Sequence, residues 1–152
     1  NIKKALFFLK LEKIEILKIS SYYESPSYPN KAHPKFINNI VEVKTNFLPI
    51  ILLEKINKIE KTMGRIRSVK NEPRVCDIDI IDYNNNIVNA RNLNIPHKSI
   101  ENRSFVLFPL REICPAWIHP VSGRKINNLI NNLGTVKRNE ITKIDESDIL
   151  KR

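Results

Sequence analysis

GRIRSVKNEPRVCDIDI, residues 64–80, sets Asp77 and Asp79 directly behind a loop that carries Arg65, Arg67 and Arg74. The alternation of VCDIDIIDY, residues 75–83, predicts a strand with both aspartates on one face and Ile78 and Ile80 turned to a core. Carboxylates two positions apart on a strand stand roughly 6–7 Å from each other, twice the ~3.3 Å rise, close enough to share one metal or hold two. Mg²⁺ favours such a pair, because it takes one or two carboxylates and fills its octahedron with water and phosphate oxygens. Arginine suits the phosphates themselves, since its planar fork grips them bidentately and stays charged. The stretch therefore fits a nucleotide triphosphate site; equally, it fits an exposed strand beside a basic loop.

Composition bounds the setting. The chain of 152 residues fits one domain with a sizeable core, and its apolar fraction of 41% is ordinary for a globular protein. A formal charge of +10 invites a nucleic-acid reading, but the crowding of Lys, Asn and Ile equally fits a coding bias. Arginine is more telling, because none precedes Arg65. Cys76 and Cys114 lack disulfide-framework or metal spacing and read as small buried thiols. The apolar run that opens the chain ends at Lys10, too short for a signal segment or a membrane span, so a cytoplasmic setting with no membrane partner is expected. The chain begins with Asn, so its true N-terminus is expected to lie further upstream.

Periodicity predicts a helix over 2–12, a strand in IEILKISSYYES (14–25), a proline-rich loop in SPSYPNKAHP (25–34) and a second strand in FINNIVEVKTNF (36–47). LPIILLEKINKIEKTMG (48–64) reads as a helix opened by Pro49 and closed by Gly64. Glu60 falls in its last turn, where the helix dipole disfavours an anion unless a metal or arginine offsets it. The asparagines at 84–86 make a turn, and IVN (87–89) is expected to pair back on the aspartate strand. SFVLFPLREI (104–113) is a short helix around Pro109, and GRKINNLINNLG (123–134) a helix capped by Ser122 and closed by Gly134. Residues 135–152, charged and aperiodic, predict a loose tail after a single domain over 1–134. Strands mixed with helices in this order indicate an α+β fold with a largely antiparallel sheet.

GRIRSVKNEPRVCDIDIIDY and, downstream, NIPHKSIENRSFVLFPLREICP closely resemble the 6-hydroxymethyl-7,8-dihydropterin pyrophosphokinase family of folate biosynthesis, through its order G-R-x-R, P-R-x-x-D-x-D-I, P-H and R-x-F-V-L-x-P-L. The resemblance implies a ferredoxin-like antiparallel sheet with helices packed on it. In that family a further strand precedes the opening helix, so the first strand is expected to be missing from this stretch of chain and to lie upstream of it. The implied reaction moves pyrophosphate from ATP to the pterin's hydroxymethyl oxygen and leaves AMP. The implied metal ligands are Asp77 and Asp79, holding two Mg²⁺ ions on ATP. Arg65, Arg67 and Arg74 would clamp phosphates on a lid-like loop, and Asn57, Ile80, Asn94, His97, Lys98 and Arg103 would complete the ATP site. Ser25, Pro26, Tyr28 and Asn38 would take the pterin's edge, with Phe36 and Phe105 on its faces. ATP and the pterin are then the partners of a monomer. A nucleic-acid-binding module, the competing class, needs aromatics along exposed strand faces, whereas here they lie mainly in loops; no nucleic-acid partner is expected.

Overall fold

The computed structural model describes residues 1–27, 34–64 and 76–150. These fall into two compact units, Asn1–Leu17 with Val43–His97, and Lys18–Glu42 with Lys98–Arg152. The chain passes between them inside β1 (Glu15–Ile19) and β4 (Val41–Lys44), which pair with each other.

In the first unit α1 (Ile2–Leu11) packs on α2 (Pro49–Thr62). The core gathers Ala5, Leu9, Ile14, Leu52, Ile56, Ile59 and Met63, with Ile78, Ile80 and Tyr83 packed against it. The helical spacing of those apolar residues is what the sequence periodicity predicts. Pro49 occupies the first turn of α2, where its missing N–H is no loss, and Gly64 follows the helix at φ 102, a left-handed conformation that suits glycine. Lys13 takes the equivalent place after α1 at φ 62, with Ile14 N–H donating to Leu9 C=O. Glu12 ties the helices together by accepting from Lys55 at 2.7 Å and Lys58 at 3.0 Å.

Residues 76–82 form no ladder with any described strand, which corrects the expected strand VCDIDIIDY. The alternation itself is present, since Asp77 and Asp79 are exposed while Ile78 and Ile80 are half-buried. Alternation reports which side chains face the core; a strand additionally needs a neighbour. The turn at Asn84 and Asn85 has both residues at positive φ, as the asparagines predict. After it, β5 (Val88–Ala90) pairs forward with β6 (Leu93–Ile95), antiparallel in register Val88↔Ile95, rather than back on the aspartates.

In the second unit β2 (Tyr22–Ser25) is the middle strand between β3 (Phe36–Asn38) and β7 (Thr142–Ile144), antiparallel to both. The two long strands of the sequence reading are each broken, one at Ser20–Ser21 and one at Asn39–Ile40. The cause is a side-chain bond: Ser20 N–H donates to Ile40 C=O at 2.9 Å, and Ile40 N–H donates to Ser20 Oγ at 2.9 Å. A hydroxyl thus stands in for a ladder carbonyl, and the ladder between the two segments is interrupted there. Helices α3 (Ser104–Ile113) and α4 (Ile126–Asn132) pack together around buried Leu107, Leu110, Ile126 and Leu129, beside a 3-10 turn at Ile100–Asn102. Lys125, not Ser122, precedes α4; the Ser122 hydroxyl donates to Glu101 at 2.6 Å instead. The expected tail is folded: α5 (Thr135–Asn139), β7 and α6 (Glu146–Leu150) follow α4. No helix among the described residues is long and apolar enough to cross a membrane.

Candidate active site

Each unit carries part of the residue set that the sequence singles out. In the first, Glu60 in the last turn of α2 is only 3% exposed, and its Oε1 accepts the backbone N–H of Ile78 at 2.8 Å. That bond, with the seating of Ile78 and Ile80 on the core, leaves Asp77 and Asp79 on the exposed side of the segment. His97 joins the same segment by donating its backbone N–H to Ile81 C=O at 3.1 Å. Asn94 lies on β6 opposite Asn89, and Asn57 lies half-buried on α2, one turn ahead of Glu60. The Cys76 thiol is pushed up from its ordinary pKa by burial and then by the Asp77 charge, which disfavours its reactive thiolate form.

In the second unit Ser25 closes β2 and is 4% exposed, facing Phe36 in the register with β3. The Asn38 amide donates to Ser25 Oγ at 2.9 Å, with Tyr23 C=O at 3.4 Å and Phe36 C=O at 3.5 Å nearby. Three acceptors around one NH₂ group fix the amide orientation, leaving Oδ1 as the face it presents. Phe36 is 43% exposed. Arg103 precedes α3 and stacks its guanidinium over the Phe105 ring at 5.6 Å. Pro26 is half-buried beside Ser25, and Lys98 is exposed.

Glu112 on α3 braces this unit from beneath. Its Oε1 accepts Ser21 N–H at 2.9 Å and Ser21 Oγ at 2.8 Å, and its Oε2 accepts the Tyr23 hydroxyl at 2.7 Å. Burial opposes its ionisation, but these donors and the Lys143 ammonium together hold the carboxyl below its usual range. Burial first, and Glu112 next, push the Tyr23 hydroxyl up to about 12. Sequence reading did not find Glu112, because a lone glutamate on a helix carries no local signal of partners so distant along the chain.

Arg65, Arg67, Arg74 and Tyr28 lie outside the described residues. Among the described residues no cluster of three or more His, Cys, Asp and Glu side chains forms a ready metal cage. The two exposed carboxylates nevertheless fit Mg²⁺, which draws most of its shell from water and phosphate.

The 7,8-dihydro-6-hydroxymethylpterin-pyrophosphokinase (HPPK) family model matches residues 1–115. The chain is similar to the 2-amino-4-hydroxy-6-hydroxymethyldihydropteridine pyrophosphokinase of Aquifex aeolicus, 42% identical over 113 residues, which are 74% of this chain and 71% of that protein. The enzyme of the same name from Synechocystis is 38% identical over 120 residues, 79% of this chain and 61% of the relative. The folic acid synthesis protein fol1 of Schizosaccharomyces pombe is 35% identical over 134 residues, 88% of this chain but only 18% of that longer protein.

Proposed function

The chain belongs to the 7,8-dihydro-6-hydroxymethylpterin-pyrophosphokinase family, and on that premise we propose that it transfers pyrophosphate from ATP to the hydroxymethyl group of 6-hydroxymethyl-7,8-dihydropterin in folate biosynthesis. The observation that carries the reading is the pair of exposed carboxylates, Asp77 and Asp79, on either side of a backbone N–H held by Glu60. The hydroxymethyl oxygen attacks the β-phosphorus, the bond from that phosphorus to the bridging oxygen breaks, AMP departs and the hydroxyl proton is released.

Asp77 and Asp79 would hold Mg²⁺, two ions in this reading, and the metal when bound supplies charge neutralisation on the phosphates. Arg65, Arg67 and Arg74 are assigned to the remaining phosphate charge, and Asn57, Ile80, Asn94, His97, Lys98 and Arg103 to the rest of ATP. Asn38 presents Oδ1 to a donor on the pterin edge, and Ser25 holds that amide in place. Pro26 and Tyr28 line the same edge, while Phe36 and Phe105 supply apolar faces for the ring. Phosphoryl-group transfer of this kind asks a protein for alignment and electrostatic stabilisation more than for covalent chemistry.

A ferredoxin-like arrangement, a single pyrophosphokinase domain, a monomeric state and a cytoplasmic setting belong to the same reading. The test is AMP release from ATP and Mg²⁺ with and without the pterin. Pterin-dependent AMP is the expected result; a folded protein that releases none refutes the proposal.

A further inference from the structure

Glu60 is costly where it stands. A carboxylate 3% exposed loses most of its hydration, and the last turn of α2 presents carbonyl dipoles that repel an anion. An apolar side chain of similar volume would avoid that desolvation cost. What no apolar side chain can do is accept the N–H of Ile78. That N–H belongs to the residue flanked by Asp77 and Asp79. In an ordinary strand, ladder bonds on both edges would set which way such side chains leave the backbone. Residues 76–82 have no ladder among the described residues, so the seating of Ile78 and Ile80 and the bonds at Ile78 N–H and Ile81 C=O contribute to their facing.

We infer that Glu60 is a positioning residue for the metal–nucleotide site: through Ile78 N–H it fixes the peptide from which Asp77 and Asp79 diverge. The inference rests on the reading of those aspartates as metal ligands. Groups one step removed from a metal commonly change its affinity about 10–100-fold when lost, and Glu60 acts in that manner through the backbone.

The experiment is a Mn²⁺ titration of the full chain with α,β-methylene-ATP, read by the loss of the free-ion EPR signal, with melting temperature measured alongside. Glu60→Met should weaken Mn²⁺ binding about 10–100-fold. Glu60→Gln, which keeps an acceptor of the same reach, should bind as the parent does. If Asp79→Asn loses binding while a folded Glu60→Met does not, the positioning role is overturned and the metal reading stands. If Asp77→Asn and Asp79→Asn both bind normally, the metal reading falls, and the inference with it. A folded Glu60→Gln that binds as weakly as Asp79→Asn also overturns the role, because charge and not the hydrogen bond would then matter. Amide exchange decides the case in which Glu60→Met does not fold. Slow exchange at Ile78 in the parent and in Glu60→Gln supports the bond, and exchange at the unprotected rate in the parent overturns it.

Discussion

Asn38 on β3 donates its amide to Ser25 Oγ on β2 at 2.9 Å, so a residue of one strand sets which atom the next strand's side chain presents. If that atom reads the pterin, the loss of each partner has a different size. Ser25→Ala removes one orienting hydrogen bond, about 1 kcal/mol or roughly fivefold in pterin affinity. Asn38→Ala removes the reading group and should cost about 1–3 kcal/mol. Isothermal titration with the pterin and an unreactive ATP analogue measures both. Equal, parent-like affinities would take Asn38 out of the pterin site.

Asp77→Asn and Asp79→Asn should each lower turnover by about 10²–10³-fold, the scale on which single preorganised electrostatic groups act. Both side chains are exposed, so melting temperatures should barely move. Single-turnover AMP formation reads the first quantity, and scanning calorimetry the second. A variant that keeps its rate is excluded as a ligand.

The pair Glu112 and Tyr23 predicts two separate pH limbs. Glu112 has a folded pKa below its ordinary 4.5, so its contribution is complete above that pH and is lost as pH falls through the lower folded value. Tyr23 has a folded pKa raised from 10.0 to about 12, so its contribution is complete below pH 10.0 and is lost as pH climbs towards 12. Denaturant midpoints measured across pH should show Glu112→Gln flattening the acid limb and Tyr23→Phe the alkaline one. Parent-like limbs in both variants would show that the pair carries no linkage.

Lys13 holds φ 62 after α1, a conformation that costs an L-residue roughly 1–2 kcal/mol and glycine almost nothing. Lys13→Gly should therefore raise unfolding stability by about 0.5–1 kcal/mol after the entropy of the freer unfolded chain is subtracted. Urea unfolding monitored by circular dichroism checks the sign; a destabilised variant contradicts it.

The sequence speaks most clearly where one short-range rule acts alone. Pro49 and Gly64 bracket α2 because ring geometry and a left-handed cap are properties of single residues, and Asn84 and Asn85 mark their turn for the same reason. The facing of Asp77, Ile78, Asp79 and Ile80 is legible as well, since alternation follows from the backbone period. What escapes is partnership. The breaks at Ser20 and Ile40 arise from a hydroxyl twenty positions away in the chain, and β7 is three residues, Thr142, Lys143 and Ile144, too few to show a period. Glu60 is intermediate: its position in a last turn draws attention, and only the fold supplies the Ile78 N–H.

β7 lies beyond residue 115, where the family match ends, yet it hydrogen-bonds to the strand that delivers Ser25. Because β2 has a strand on each side, it cannot slide in register without breaking two ladders at once. The chain's last stretch thus acts as a clamp on a strand whose own residues lie within the family match. Substitutions in β7 can therefore change how firmly β2 is held without altering any residue of β2 itself.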